Sequence, residues 1–351
     1  MKRVDQLLAG YAAGDAISQE ARIFRSILRG AGYESDIFVP NNRIAPDMRD
    51  DCRRLDEFAA TPAECVILHY STKSAADKVF EAFRGRRFLR YHNITPAHYY
   101  AGYDDSVAAE LTQARTKLID VAKSADCCWS DSEYNAAELG ALGVSDSVVL
   151  PLMFRMDEFE TEADAAAAAE FGGGLVNWLF VGRIAPNKNI EDLITAFGWY
   201  RLFNPRSRLI IVGSAKSCPR YYAMLRLLAA RLELNDVCFT GFVTNPARYS
   251  IYGCADLFVT ASLHEGYCLP LVESMARGVP VIARECGGMP EALGGGGVLY
   301  QDADARELAV LAHHVISDAD LHSEVLESQQ KRVDEIKQRD SAAELLELLN
   351  G

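Results

Sequence analysis

Short apolar runs alternate along the chain with longer stretches whose apolar residues recur at helical spacing, the pattern of parallel strands joined by crossover helices. In the first half, Asp36–Val39, Cys65–Leu68, Arg87–Tyr91, Cys127–Ser130 and Ser147–Leu150 read as strands. Val4–Leu8 reads as a first strand diluted by Asp5 and Gln6. Helical stretches between them cover Ala16–Arg29, Lys73–Phe83, Ser106–Ala122 and Ser132–Ala141. The second half repeats the alternation with cleaner strands at Leu175–Val181, Arg208–Val212, Asp236–Phe239, Leu257–Thr260 and Pro280–Ala283. It closes on a charged helical segment from about Asp304 to Leu349. Met156–Gly174 reads as a connector, with an acidic stretch (Asp157, Glu158, Glu160, Glu162), an alanine run and Gly172-Gly173-Gly174. Two doubly wound α/β domains of similar size, joined by one linker, follow. Ligands of such sheets bind beyond the carboxyl ends of the strands, so two such edges facing across a cleft are the expected site.

Composition narrows the class. A chain of 351 residues suits two domains, and 49% hydrophobic with 24% charged residues excludes disordered and fibrous classes. Thirty-six basic against 49 acidic residues give a net charge of −13. Such a chain is a poor wrapper of nucleic acid, whose binding rests on phosphate neutralisation. No apolar run reaches the ~18 residues of a membrane span. Asp5 and Gln6 interrupt any signal-peptide core, so a cytoplasmic location is expected. The nine cysteines form no C-x-x-C pair, which fits reduced core thiols.

The strongest chemical constellation is His264-Glu265-Gly266-Tyr267-Cys268-Leu269-Pro270-Leu271-Val272-Glu273, between a strand and a helix. Pro270 suits the first helical turn, and the amides of Gly266, Tyr267 and Cys268 would then form an anion site. Glu265 and Glu273 flank it, placed to accept hydrogen bonds from sugar hydroxyls. The bland alternative is a solvated loop glutamate and a second one complementing the helix dipole. In Leu179–Asn189, Arg183 and Lys188 leave a strand on a turn rich in Gly and Pro, a fork and a point charge suited to a diphosphate. Two exposed cations on a βα turn are the alternative.

The runs F-V-G-R-I-A-P-N-K-N, I-I-V-G-S-A at Ile210–Ala215, T-G-F-V at Thr240–Val243 and E-G-Y-C-L-P-L-V-E-S-M-A-R-G-V-P-V-I-A at Glu265–Ala283 resemble the nucleotide-sugar domain of family 4 glycosyltransferases. Cys286-Gly287-Gly288-Met289-Pro290-Glu291 fits the family's G-G-x-P-E turn. In the first half, Arg90-Tyr91-His92-Asn93 and Ser130-Asp131-Ser132-Glu133 fit more weakly. The resemblance implies the GT-B fold, two facing Rossmann-like domains, and retaining, metal-independent transfer from a nucleoside-diphosphate sugar to a hydroxyl of a glycan or lipid-linked acceptor. Surface-polysaccharide assembly is the implied setting. GDP-mannose, UDP-sugars and dTDP-rhamnose all remain open as donors.

Carried over, Arg183 and Lys188 would bind the diphosphate. Glu265 would hold the donor sugar, with the amides of Gly266, Tyr267, Cys268 and the adjoining Leu269 beside it. Glu273 would bind ribose, and Gly213 with Gly241, Phe242 and Val243 would approach the nucleotide. His92 would reach the transferred sugar from the first domain. In the loop after the first strand Gly14 stands where relatives carry a Gly-Gly pair, and Pro151-Leu152-Met153 replaces a Pro-Asn-Gly turn. The resemblance also implies that the terminal helix, Lys331–Leu349, crosses back onto the first domain, so that the first domain covers 1–152 plus 331–351 and the second 153–330.

Other residues carry smaller signals. His69 ends a strand and suits either packing or the cleft. His98 lies in a loop with Tyr99 and Tyr100 that suits an acceptor sugar. His313 and His314 read as packing or surface residues, and the Tyr221, Tyr222, Leu225, Leu228 stripe as core. Lys73–Arg90 interleaves six cations with Phe80, Phe83 and Phe88. It reads either as a peripheral contact with an anionic membrane or as an ordinary face paired with carboxylates. No D-x-D lies in a plausible metal-binding loop, so no metal or other cofactor is expected. Two other classes stay open: a sugar-nucleotide epimerase or hydrolase on the same fold, and a sugar-nucleotide-binding module without catalysis.

Overall fold

The computed structural model describes residues 2–60, 63–144, 147–157 and 164–351. Glu158, Glu160 and Glu162 of the expected acidic connector lie outside the described residues. The chain forms two compact units. The first comprises Met1–His98, Ser106–Arg155 and Asp340–Gly351; the second comprises Tyr99–Asp105 and Met156–Arg339.

In the first unit the elements run β1 (Val4–Leu8), α1 (Ala16–Gly30), β2 (Ile37–Val39), β3 (Arg53–Arg54), β4 (Cys65–Tyr70), α2 (Ala76–Ala82), β5 (Arg86–Tyr91), α3 (Asp105–Ser124), β6 (Cys127–Ser130), α4 (Glu133–Ala141) and β7 (Ser147–Val149). They build a parallel sheet in the order β3-β2-β1-β4-β5-β6-β7. The chain winds outward from β1 and returns to β4 beside it, so the switch of direction falls between β1 and β4. The diluted first strand has a physical reason. Asp5 and Gln6 are both fully buried, and each is satisfied: Arg3 donates to Asp5 at 2.8 Å, and the Gln6 amide donates to the Ala21 carbonyl at 3.0 Å.

The second unit runs α5 (Ala165–Phe171), β8 (Val176–Val181), α6 (Ile190–Tyr200), β9 (Ser207–Val212), α7 (Pro219–Arg231), β10 (Val237–Gly241), α8 (Asn245–Gly253), β11 (Leu257–Thr260), α9 (Leu269–Ala276), β12 (Val281–Arg284), α10 (Met289–Leu293), β13 (Val298–Tyr300), α11 (Ala305–Ser317) and α12 (Ala319–Gln338). Its parallel sheet has the order β10-β9-β8-β11-β12-β13, with the switch between β8 and β11. Trp178, Leu179, Phe180, Leu257, Phe258 and Val259 are buried, as strands covered by helices on both faces require.

Three expectations are corrected. The helix expected over Lys331–Leu349 is two helices, α12 and α13 (Ser341–Asn350). Arg339 turns extended, and the Asp340 carboxylate accepts the Ala343 amide at 2.9 Å to start a new helix. Gln329 of α12 is clamped on the β12 region, accepting from the Val281 amide at 2.8 Å and donating to the Val279 carbonyl at 2.9 Å. The boundary therefore falls at 339/340 rather than 330/331, and only α13 joins the first unit. There Leu345 and Leu349 pack with Phe24, Leu28, Phe88 and Trp129. The connector contains α5, capped by Asp164, and the Asp164 amide donates to Ser250 at 2.6 Å. In Lys73–Arg90, Phe80 and Phe88 lie in the core and Arg90 is fully buried, because their strand and helix turn those positions inward. The basic face with embedded aromatics is not formed. The two-residue β3 and the short β13 fall below what alternation can reveal.

Candidate functional site

The second unit gathers its candidate residues at the carboxyl ends of β8, β9, β10 and β11, at the switch between β8 and β11. After β8 the chain makes a tight 3-10 turn, Pro186–Lys188, and enters α6 through Asn189 in the left-handed region at φ +49°. Asn and Asp visit that region more readily than branched residues. The turn is strapped to the loop after β11: the Leu263 amide donates to the Asn187 carbonyl at 2.8 Å, and the Asn187 side chain donates to the His264 carbonyl at 3.1 Å.

This strap sets Lys188 Nζ 2.5 Å from Glu265 Oε1, a charge-assisted contact with both side chains mostly buried. Gly287 backs Glu265 closely. With φ +54°, a Cβ there would lie 2.0 Å from the Glu265 carbonyl oxygen. Gly213 abuts β8 in the same way, where a Cβ would lie 1.8 Å from the Gly182 carbonyl oxygen. Its amide donates to the Gly241 carbonyl at 3.0 Å, which ties the loops after β9 and β10 together. Next along the chain, Phe242 is 64% exposed, and Val243 is half-buried.

Arg183 is exposed and has no side-chain partner among the described residues. Tyr100 belongs to the same unit and lies in the positive field of Arg183 and Lys188. Burial raises its phenol, and those two cations act against that rise. Next to it, Tyr99 donates to the Leu263 carbonyl at 3.2 Å, which brings this aromatic turn to the loop after β11.

The helix α9 begins at Leu269, and Cys268 precedes it with φ +75°, a strained setting for a residue with a side chain. Among the described residues no side chain caps this N-terminus, Pro270 occupies its first turn, and Gly266 and Tyr267 lead into it. Burial, then Glu265, push the Cys268 thiol well above its usual range, so it is a neutral lining group rather than a thiolate.

Glu273, read as a ribose ligand, has two partners within the unit. It is buried one turn into α9, accepts from the Tyr252 hydroxyl at 2.8 Å and lies 3.0 Å from Arg248 Nη2. Burial, then Glu273, hold the Tyr252 phenol well above its usual range, which keeps it a donor. The carboxylate is thus engaged by two residues of α8.

In the first unit, Gly14 sits exposed at φ +74° just before Asp15, whose carboxylate caps α1 by accepting from the Ser18 amide at 2.9 Å. His92 follows β5 and is buried. Its Nδ1 lies 3.1 Å from Asp131 and its Nε2 3.0 Å from Nδ1 of His69. Arg90 donates to both oxygens of Glu20 at 2.7 and 3.0 Å and pairs with Asp131 at 2.8 Å. Burial would raise the Asp131 carboxyl, but Arg90 and His92 hold it below the usual carboxylate range. Both His92 nitrogens are therefore committed within the unit.

Sequence reasoning did not single out Asn187, Gly287, Arg248, Tyr252 or Glu20. Asn187 and Gly287 lay inside quoted motifs, whereas Arg248, Tyr252 and Glu20 act through tertiary pairing that no local pattern announces.

Two doubly wound parallel sheets, one carrying a cation–carboxylate pair at its switch point, define an α/β protein of the GT-B fold. The comparisons agree. Sucrose-phosphate synthase from Thermosynechococcus elongatus superposes with a TM-score of 0.76 at 20% identity, over 100% of this chain and 98% of that one. Anabaena HepE, solved in complex with UDP and glucose, gives 0.75 at 18% identity over the full length of both chains. The sequence profile of the family "Glycosyl transferases group 1" matches residues 172–332, a little under half of the chain and most of the second unit. Among curated relatives, the serotype-specific mannosyltransferase WbdA of Escherichia coli is 28% identical over 149 residues, 42% of this chain and 18% of that protein. D-inositol 3-phosphate glycosyltransferase of Segniliparus rotundus is 32% identical over 148 residues, 41% and 33% of the respective chains. The chain thus spans only a fifth to a third of the length of these relatives.

Proposed function

We propose that the protein is a retaining, metal-independent glycosyltransferase that moves a sugar from a nucleoside-diphosphate donor to a hydroxyl of a glycan or lipid-linked acceptor. The observation that carries this reading is the Lys188–Glu265 pair at the switch point of the second sheet, with the exposed Arg183 beside it. A departing diphosphate accumulates negative charge, and Arg183, Lys188 and the uncapped N-terminus of α9 offer fixed positive charge and dipole to meet it. Glu265 accepts from Lys188 and keeps the lysine oriented while its remaining lone pairs face sugar hydroxyls. The amides of Gly266, Tyr267, Cys268 and Leu269 line the donor, and Gly213, Gly241, Phe242 and Val243 receive the nucleotide, with Phe242 offering a ring to the base. Glu273 is assigned to holding α8 against α9 rather than to ribose. With this much fixed positive charge no divalent ion is required, so turnover is expected to survive EDTA.

Mannosyltransferases among the relatives and UDP in HepE support mannosyl and UDP-linked donors, so the donor panel is GDP-mannose and UDP-sugars with dTDP-rhamnose beside them, and the O-antigen chain mannosyltransferase among the relatives favours surface-polysaccharide assembly. The protein would then act in the cytoplasm. A peripheral membrane contact would rest on the exposed Lys73, Lys78, Arg84 and Arg86 alone.

The test is a thermal-shift panel of these donors followed by initial rates with a hydroxyl acceptor. Arg183→Ala and Lys188→Ala should each lower kcat about 10²–10³-fold while weakening donor binding less. Near-normal kcat/KM in both variants would refute the diphosphate role. Donor consumption without acceptor would mark a hydrolase, and binding without turnover a binding module.

A further inference from the structure

The buried cluster around His69 and His92 poses a proton-counting problem that two neutral imidazoles cannot solve. Gln6 is oriented by its amide, which donates to the Ala21 carbonyl at 3.0 Å and turns Oε1 toward His69 Nε2 at 2.9 Å. An acceptor at that point requires an N–H on His69 Nε2, which leaves Nδ1 with a lone pair. On the other ring, the Asp131 carboxylate at 3.1 Å requires an N–H on His92 Nδ1, which leaves Nε2 with a lone pair. These two lone pairs meet at 3.0 Å, between rings that lie nearly parallel. Two acceptors cannot face each other at that distance without a proton between them.

We propose that His69 and His92 share one proton in an N–H···N bond, so that the pair carries a single positive charge at neutral pH and His69 acts as a positioning residue for His92. Charge balance supports the same count. The groups facing the pair are Glu20 from α1, Arg90 from β5, Asp131 after β6 and the neutral Gln6 from β1, with the Phe24 ring against His69. Glu20 Oε2 lies 3.8 Å from His69 Nδ1 and 3.6 Å from His92 Nε2. Two carboxylates are then balanced by one guanidinium and one shared proton, and the buried cluster is neutral. Burial, His92 and Arg90 hold His69 well below the usual imidazole range. A divalent cation held by Glu20, His69 and His92 would solve the lone-pair conflict too. It would leave an unbalanced positive charge beside Arg90 and compete with Arg90 for Glu20.

This count does not depend on the enzymatic reading. It is tested on the full-length protein by ¹⁵N-histidine NMR at neutral pH, with His69→Gln used to assign the pair. Three of the four ring nitrogens of the pair should carry protons. Two protonated nitrogens, or four, would overturn the proposal. In His69→Gln the new carbonyl oxygen can accept from His92 Nε2 in place of His69 Nδ1, so the two carboxylates should keep both His92 nitrogens protonated; a His92 protonated only at Nδ1 would refute the charge balance. Zinc is the remaining probe. Stoichiometric uptake of added Zn²⁺ that removes the shared-proton signal would replace the proton with a metal site, and an unchanged spectrum supports the proton. If the variant fails to fold, the wild-type count alone decides.

Discussion

Replacing Glu273 by Gln keeps the shape of the side chain and removes its charge. Arg248, whose side chain is only 16% exposed, then loses its counter-ion, and Tyr252 keeps an acceptor. Breaking a buried ion pair by removing one partner costs about 3–5 kcal/mol. The residual exposure of Arg248 places this case at the lower end, near 3 kcal/mol. A unit of this size shifts its melting temperature by about 2–4 °C per kcal/mol, so the second unit should melt roughly 6–12 °C lower. The assay is calorimetry or fluorescence-monitored melting of the wild type, Glu273→Gln, Arg248→Met and the double variant. Removing both charges should recover much of the loss, since no charge is left buried alone. Donor affinity is measured in parallel below the transition. A fall of less than about 2 °C with a clear loss of donor affinity would refute the structural assignment and return Glu273 to the ligand.

Three further outcomes follow from the same kind of reading. Gly287→Ala forces a Cβ to within 2.0 Å of the Glu265 carbonyl at a positive φ; the strain alone costs about 1–3 kcal/mol, and donor binding should weaken as Glu265 moves, as titration calorimetry would show. Leu345→Ala opens a cavity under α13 and should cost the first unit about 2–5 kcal/mol in urea unfolding, while a loss below about 1 kcal/mol would mean that α13 is only loosely docked. Burial raises the Asp77 carboxyl to about 6, the Ser74 amide acting against that rise. A carboxyl raised in the folded state binds more protons there than in the unfolded chain, so stability falls as pH rises from about 4 to 6 and the penalty is complete above that. Asp77→Asn should therefore stabilise the protein at pH 7 by up to about 3 kcal/mol and remove the pH dependence in that window; a destabilised variant would show that the charge is needed at α2.

The second sheet was legible because its strands are continuous apolar runs buried on both faces, so alternation of run and helix survives in the sequence. The loops after β8 and β11 were legible for a different reason: Gly, Pro and Asn mark the turns that aim Lys188 and Glu265 at each other. The motif brought out Glu273, but its position there says nothing about Tyr252 and Arg248, which arrive from another helix. His92 was singled out, but its partners Glu20, His69 and Asp131 sit on α1, β4 and the loop after β6, whose adjacency depends on strand order. The helix break at Arg339 was hidden because Lys331–Leu349 keeps helical composition throughout. Only the cap at Asp340 divides it.

The return of α13 to the first unit has a consequence for biosynthesis. The face built from Phe24, Phe88 and Trp129 is made early, but the helix that covers it follows after the whole second unit, from Met156 to Arg339, has been synthesised. At about 5–20 residues per second that interval is roughly 10–40 s, long compared with the collapse of a chain this size. During it the nascent protein carries an open aromatic surface that a holdase chaperone or a second nascent chain can occupy. Ribosome profiling of chaperone engagement should show binding that begins near the end of the first sheet and persists through the second.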